Sequence, residues 1–327
     1  VLLAKRTGNG SVQTKRIVQY GAQLHQKGAP VIMKLIFTDL DGSLLDHYNY
    51  SFAPAANYLE RLEAQQIPVI PITSKTRAEV LALRQQLKNQ HPFIIENGAA
   101  ICIPRGYFSQ RPDSALDSGE YWIISNAQPR NHWLELLNQI GAAFADEFQT
   151  FSSIFAEKGT DGLVQLTGLS PEQARLAQQR EYSETIHWLG SDSRKAELIT
   201  QLKEAGAHLL QGGRFLSMGD NTDKGRALVQ LQHLYQQQHG DCQTLAIGDS
   251  GNDISMLEAG GLCADYPLTQ SQGTFGAAHK KSLYQQCRRT QRLGRGRLRL
   301  ARQSILKFTN RDIYGRLSPK RQYHHLT

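Results

Sequence analysis

Two aspartates one residue apart, Asp39 and Asp41, stand where the apolar run of LIFTDLDGSLLD (35–46) ends. Carboxylates this close repel each other, so the pairing makes sense where a cation neutralises it. The D-x-D-G spacing lets the first carboxylate point into a crevice while the chain continues round a turn that Gly42 permits. The two could share a hard, oxygen-loving ion, and Mg2+ is expected because it takes one or two carboxylates together with substrate phosphate. GDSGND (248–253) follows a second apolar run and opens a helix. Asp249 can complete the metal shell there with Asp253 in support, and Ser250 to Asn252 can bring amide donors to a phosphate at the helix N-terminus. Lys224 in GDNTDKGRAL begins a helix, a place that disfavours cations unless an anion draws them. Thr73 in ITSKT is placed to give a hydroxyl to a phosphate oxygen, with Ser74 and Lys75 as near alternatives. Each motif also has a plainer reading: solvated aspartates at a strand end, a capping turn for which one Asp suffices, an exposed lysine.

Groups so far apart in sequence can meet only if the fold brings their elements to one edge. KLIFTDL (34–40), IPVIPITS (67–74), PFIIENG (92–98) and TLAIGDS (244–250) have strand length, β-branched content and little polar alternation, as strands covered on both faces do. They read as central parallel strands. PAANYLERLEAQQ, RAEVLALRQQLKN and DISMLEAGG carry helical spacing or helix-ending signals between and after them. Alternating units of this kind predict a doubly wound α/β sheet. In such sheets the ligand crevice lies outside the carboxyl ends of the strands, where Asp39/Asp41, Thr73/Ser74, Glu96/Asn97 and Asp249 would converge. From Asp113 to about Leu210 the texture changes. YWIISN, DGLVQLTG, TIHWLG and AHLLQG read as strands, and HWLELLNQIGAAF, SPEQARLAQQR and SRKAELITQLKEAG as helices. A βα insert of this length forms a small domain of its own and would sit over the crevice as a lid.

The 327 residues can bury one large core or two ordinary ones, and no apolar run is long enough for a membrane span. The four cysteines lie far apart without C-x-x-C spacing, which suggests neither zinc nor a disulfide framework and makes a reducing cytoplasm the simplest home. The first methionine is Met33, and the polar stretch before it has no apolar segment of the secretory kind, so residues 1–32 are expected to be an extension outside the fold. The net charge of +8 is concentrated in residues 276–327, where fourteen Lys and Arg face the single acid Asp312. The remainder is mildly acidic. The segment QCRRTQRLGRGRLRLARQ could contact nucleic acid non-specifically through its arginines, or be a solvated tail.

Asp39-Leu-Asp41-Gly, Thr73, Lys224 and Gly248-Asp249-x-x-Asn252-Asp253, in that order, resemble motifs one to four of the haloacid dehalogenase superfamily of phosphotransferases. SKTRAEV, IIENGAAI, TGLSPEQARLAQQREYSE and GGRFLSMGDNTDKG further resemble the mannosyl-3-phosphoglycerate phosphatase family, over about residues 33–266. The resemblance implies a Rossmann-type core with a parallel sheet at 33–112 and 211–275, an inserted α/β cap at 113–210, and a basic tail at 276–327. It implies a Mg2+-dependent phosphatase in which Asp39 is the nucleophile, Asp41 the acid and base, and Lys224 the electrostatic partner. Thr73, Ser74, Lys224 and Asn252 would hold phosphate, and Asp39, Asp41, Asp249 and Asp253 the metal, with Asp41 contributing its backbone carbonyl. Arg180 with Ser183 in REYSE, and Arg214 in GGRF, are candidates for a glycerate carboxylate or sugar hydroxyls, since a guanidinium suits a carboxylate bidentately; either arginine could equally serve a surface ion pair. Two departures stand out: Ser43 replaces the usual threonine, and the family's C-terminal segment after Pro267 gives way to the basic tail. The rival readings are a phosphatase of another sugar phosphate (glucosyl-3-phosphoglycerate, sucrose phosphate), a phosphosugar mutase, and a nucleic-acid-binding protein working through its tail.

Overall fold

The computed structural model describes residues 32–46 and 51–265. The expected N-terminal extension before Ile32, the last ten residues of the expected core and the basic tail lie outside the described residues. In chain order the elements are β1 (Met33–Thr38), α1 (Ala56–Ala64), β2 (Val69–Pro71), α2 (Arg77–Leu87), β3 (Phe93–Ile95), β4 (Ala100–Pro104), β5 (Leu116–Ser118) and β6 (Tyr121–Ser125). Next come α3 (Arg130–Gly141), β7 (Phe148–Thr150), α4 (Phe151–Thr167), α5 (Pro171–Ala177), β8 (Glu184–Trp188), α6 (Asp192–Glu204), β9 (His208–Gly212) and β10 (Phe215–Gly219). The described chain closes with α7 (Lys224–His239), β11 (Cys242–Gly248), α8 (Ile254–Ala259) and β12 (Leu262–Asp265).

The first sheet runs β12-β11-β1-β2 with every pairing parallel. Its apolar runs lack alternation because both faces are covered. Ile36, Val69, Leu245 and Ile247 pack with Leu62 of α1 on one side; Leu35, Phe37, Ile70 and Ala246 pack with Leu228, Leu231 and Tyr235 of α7 and Met256 of α8 on the other. Each buried aliphatic side chain here is worth about 1.5–3 kcal/mol of transfer free energy, so the fully apolar strand sequence is what holds the layers together. This is the α/β architecture expected.

The third apolar run departs from expectation. PFIIENG forms β3, which pairs antiparallel with β4 and touches β2 only through the parallel bridge of Ile72 to Ile94. The reason lies in Glu96, Asn97 and Gly98, whose φ values of 45°, 58° and 95° reverse the chain at once. A left-handed step is open to Gly and tolerated by Asn, and the periodicity of the run before it carries no sign of the reversal. The result is an antiparallel sheet, β3-β4-β6-β5, continuing beyond β2.

A third, antiparallel sheet, β7-β8-β10-β9, stands apart in sequence and core. Trp133 and Leu137 of α3 and Leu198 and Leu202 of α6 cover Ile186, Leu216 and Met218 on one face. Phe151, Ile154, Leu163 and Ala174 of α4 and α5 form a cluster against Phe215. DGLVQLTG, expected as a strand, is the second half of α4. Its Leu163 and Val164 join that cluster, and Gly168 at φ 78° ends the helix; for a short apolar run flanked by glycines, length and pattern alone do not separate the two structures. Tyr121–Ser125 pairs with β4 and Leu116–Ser118 with Tyr121–Ser125, whereas Gln211 to Gly219 belong to the sheet containing β8. Divisions at 112/113 and 210/211 would each cut a sheet. We therefore propose that the core comprises about 33–126 and 220–265, and the cap the segment between.

Gly225 packs the first turn of α7 directly against α8, where an added Cβ would overlap the Ser255 carbonyl, a backbone atom with little freedom to give. In an open helix Gly→Ala stabilises by about 1 kcal/mol. Here Gly225→Ala should instead destabilise by about 1–3 kcal/mol, read from the midpoint of a urea melt, because it pries two packed helices apart.

Candidate active site

Three chain segments meet at the carboxyl ends of β1, β11 and the start of α7. Asp39 follows β1 with its amide bonded to the Ile247 carbonyl at 2.9 Å, so the parallel pairing of β1 and β11 fixes where its side chain starts. Lys224, 1% exposed, places Nζ 2.6 Å from Asp39 Oδ1 and 2.6 Å from Asp253 Oδ1. An ammonium buried this deeply would be too costly without such partners, so the three groups stand or fall together. Asp253 Oδ2 in turn accepts the Asp249 and Ser250 amides at 3.0 and 2.9 Å and the Ser250 hydroxyl at 3.1 Å, which shapes the loop after β11.

Burial raises the Asp39 carboxyl from its ordinary value to about 7; Lys224 opposes the rise, and Asp253 and Asp41 add to it. For Lys224 burial pulls downward, but the pull of Asp39 and Asp253 prevails and its pKa is raised, so it stays protonated. The site is thus short of positive charge. Carboxylate oxygens of Asp39, Asp249 and Asp253 lie within 4.8 Å of one another, an all-oxygen donor set of the kind hard divalent cations take. Both oxygens of Asp253 are already engaged, which leaves Asp39 and Asp249 as the side chains best placed to ligate and Asp253 as their support. Gly42, at φ 75°, lies against the Asp249 carboxylate, and any Cβ there would overlap it.

Asp41 points elsewhere: its Oδ2 meets Lys75 Nζ at 2.9 Å, and its Oδ1 is buried with no partner. Nothing in the D-x-D-G motif announces that lysine, although Lys75 stands two residues after Thr73 in ITSKT. Ser43 Oγ is likewise buried without a partner. Thr73 is fully buried, with its hydroxyl accepting the Lys75 amide at 3.2 Å. Asn252 is turned sideways, donating to Asn97 Oδ1 at 3.0 Å and accepting from Ser250. Of the expected specificity residues, Arg180 lies at the seam. It donates to Ser183 Oγ at 2.8 Å and to the Ser74 carbonyl at 3.1 Å. Ser183 donates to Glu96 at 2.5 Å. Arg214 is not brought to this cluster by any contact among the described residues; it sits in the turn between β9 and β10 and donates to the Leu166 carbonyl at 2.9 Å. Glu96 and Asn97 were foreseen only as a polar strand end, and their contacts come from the turn that sequence pattern did not reveal.

The parallel sheet with an inserted cap agrees with the comparisons. The model of the haloacid dehalogenase-like hydrolases matches residues 36–112 and 190–264. A glucosyl-3-phosphoglycerate/mannosyl-3-phosphoglycerate phosphatase of Methanococcoides burtonii is 38% identical over 226 residues, covering 69% of this chain and 81% of that protein. A protein of the same name from Persephonella marina is 35% identical over 228 residues, covering 68% and 81%. Among solved structures, a Thermoplasma acidophilum protein superposes with a TM-score of 0.52 at 16% identity, covering 77% of this chain and 89% of its own. A haloacid dehalogenase-like hydrolase of Bacteroides thetaiotaomicron does so at 0.52 and 17%, covering 73% and 90%. The fold and site are those of a capped phosphoric monoester hydrolase. Within that class the chain belongs to the haloacid dehalogenase-like hydrolases, in the mannosyl-3-phosphoglycerate phosphatase family.

The two acids of the β11 loop should separate in a simple experiment. Asp253→Ala strands a buried ammonium and two amides, and should lower stability by about 3–5 kcal/mol in a denaturant melt with EDTA present. Asp249→Ala should leave the metal-free melt almost unchanged yet abolish the rise in Tm that a divalent cation gives.

Proposed function

We propose that the chain is a Mg2+-dependent phosphatase that hydrolyses mannosyl-3-phosphoglycerate to mannosylglycerate and phosphate through an aspartyl-phosphate on Asp39. The observation that carries this reading is the buried Lys224 bridge, which fixes one oxygen of Asp39 and leaves Oδ2 without a hydrogen-bond partner among the described residues. A carboxylate so oriented is a positioned nucleophile. Oδ2 attacks phosphorus, the bond from phosphorus to the sugar-glycerate oxygen breaks, and Asp41 gives that oxygen its proton. A water then loses a proton to Asp41 and attacks the same phosphorus, so that the acyl-phosphate bond breaks and Asp39 is restored with release of inorganic phosphate.

Mg2+, held by Asp39 and Asp249, would supply charge neutralisation between carboxylate and phosphate and stabilise the transition state. Lys224 adds positive charge at Asp39 Oδ1, and Thr73 and Ser74 beyond the end of β2 would supply the polar edge for the phosphoryl oxygens. The orphaned Asp41 Oδ1 is an acceptor or donor with no protein partner, as an acid-base group should be. For the leaving group the support favours Arg180 over Arg214: the former is bonded to the Ser74 carbonyl beside Thr73, the latter to the Leu166 carbonyl in the last turn of α4 in the cap. The names of the relatives include both glucosyl and mannosyl esters, so glucosyl-3-phosphoglycerate is the second substrate to try. A cytoplasmic home fits the spacing of the cysteines, and no helix among the described residues is long and apolar enough to cross a membrane.

Phosphate release is to be measured from mannosyl-3-phosphoglycerate, glucosyl-3-phosphoglycerate, sucrose phosphate and a hexose phosphate, with and without a bisphosphate activator. The expected result is Mg2+-dependent release, abolished by EDTA and lowered at least about 10⁴-fold in Asp39→Asn, with the mannosyl ester turned over best. Release from none of them by the folded protein, or turnover that needs the bisphosphate, would reject the reading.

A proton linkage should accompany Mg2+ binding. The raised Asp39 carboxyl keeps its proton below about 7, and the ion must displace it. Apparent affinity should therefore climb with pH toward that value, by up to about tenfold per pH unit, and level off above it. Titration calorimetry in two buffers of different ionisation enthalpy would read the proton directly, and a pH-independent affinity would show that Asp39 is already ionised.

A further inference from the structure

Glu96, Asn97 and Gly98 form three consecutive left-handed residues, two of them with side chains. Each non-glycine residue so held carries a steric cost, and such a turn persists only where its surroundings over-determine it. The surroundings here are four separate segments. Glu96, 3% exposed, accepts the Glu181 and Tyr182 amides at 2.8 and 3.3 Å and the Ser183 hydroxyl at 2.5 Å, which pins the segment of the cap between α5 and β8. Arg180 Nε lies 3.6 Å from the same carboxylate and ties that segment to the Ser74 carbonyl. Asn97 donates its amide to the Thr73 carbonyl at 2.9 Å, and its Oδ1 accepts from Asn252 at 3.0 Å in the loop that presents Asp249 and Asp253. Gly98 sits against the Asp223 carbonyl, one residue before Lys224, where an added Cβ would overlap it.

We propose that Glu96 and Asn97 are positioning residues that hold the cap segment at 180–183 and the loop at 249–253 in one register, so that displacement of either disturbs the other. Glu96 faces the cap segment and Asn97 the loop, and their peptide bond is shared. A rigid left-handed turn leaves little room for one side to move alone. The coupling itself does not depend on the chemistry proposed above; its catalytic consequence does. Because the loop at 249–253 carries Asp249 and Asp253, loss of Glu96 should slow the turnover of any phosphate ester, a small aryl phosphate included.

Hydrogen exchange read by mass spectrometry on the full chain tests the coupling without any activity. Glu96→Gln should speed exchange at 180–184 and also at 249–254, each about tenfold, while the buried face of α6 in the cap stays protected. Asn97→Gly, which keeps the backbone conformation accessible but removes the Asn252 contact, should speed the same two segments. Asn97→Asp retains an acceptor for Asn252 and should restore wild-type exchange. If each variant loosens only its own neighbour, or if α6 exchanges faster in step with the rest, the coupling is refuted. In the kinetic arm, Glu96→Gln should lower kcat about tenfold for mannosyl-3-phosphoglycerate and for p-nitrophenyl phosphate alike. A loss on the sugar ester with p-nitrophenyl phosphate hydrolysis unchanged would show that Glu96 serves the cap alone and would overturn the proposal. Wild type inactive on both would reject the proposed function and leave the exchange result to decide the coupling alone.

Discussion

Lys224 is the constraint around which the rest is arranged. A fully buried ammonium is tolerable only because Asp39 and Asp253 each stand 2.6 Å from it, and those acids arrive from different strands. β1 must therefore lie beside β11, α7 must begin where their carboxyl ends meet, and the loop after β11 must fold back to bring Asp253 inward. Burial of the lysine is costly in isolation. It is offset by two ion pairs and, through Asp253 Oδ2, by the capping of two loop amides. Two acids around one base still leave the cluster short of positive charge, and the raised carboxyl of Asp39 is the chemical expression of that shortage.

Glycines set the closeness that this arrangement requires. Gly42 admits the Asp249 carboxylate at the D-x-D-G turn, and Gly225 lets α7 rest on the backbone of α8. Neither position has room for a methyl group. The parallel sheet supplies the rigid platform beneath, with Leu35, Phe37, Ile70 and Ala246 clamped by α7 and α8. The chemical groups consequently sit on strand ends and helix starts, where they are held to tighter tolerances than loop residues could be.

The cap brings its own sheet and its own apolar clusters; Tyr182 packs among Leu40, Phe93 and Ile95 of the core, and polar contacts surround it. Arg180 to the Ser74 carbonyl, Arg77 to Glu181 at 2.8 Å, and Thr76 Oγ1 to the Leu176 carbonyl at 3.0 Å all join the segment after β2 to the segment before β8. Polar seams of this kind are weaker and more selective than apolar ones, which suits a lid that must both close and open. The same seam contains Arg180, which reaches the Thr73–Ser74 end of the segment after β2.

The sequence by itself determined the parallel sheet of the core and the acidic motifs that stand at its strand ends. Unalternating apolar runs report burial on both faces, and short polar motifs such as D-x-D-G and G-D-x-x-N-D keep their residues adjacent in space whatever the fold. Only the tertiary structure decided the antiparallel course of β3, the helical state of 161–167, the sheet membership of 116–125 and 211–219, and the pairing of Asp41 with Lys75. Each of these depends on partners distant in sequence or on a backbone conformation that side-chain periodicity does not encode. Asn97 illustrates the division: its place in IIENGAA marks a turn, but that its side chain meets Asn252, 155 positions away, is settled by how two strand ends are stacked.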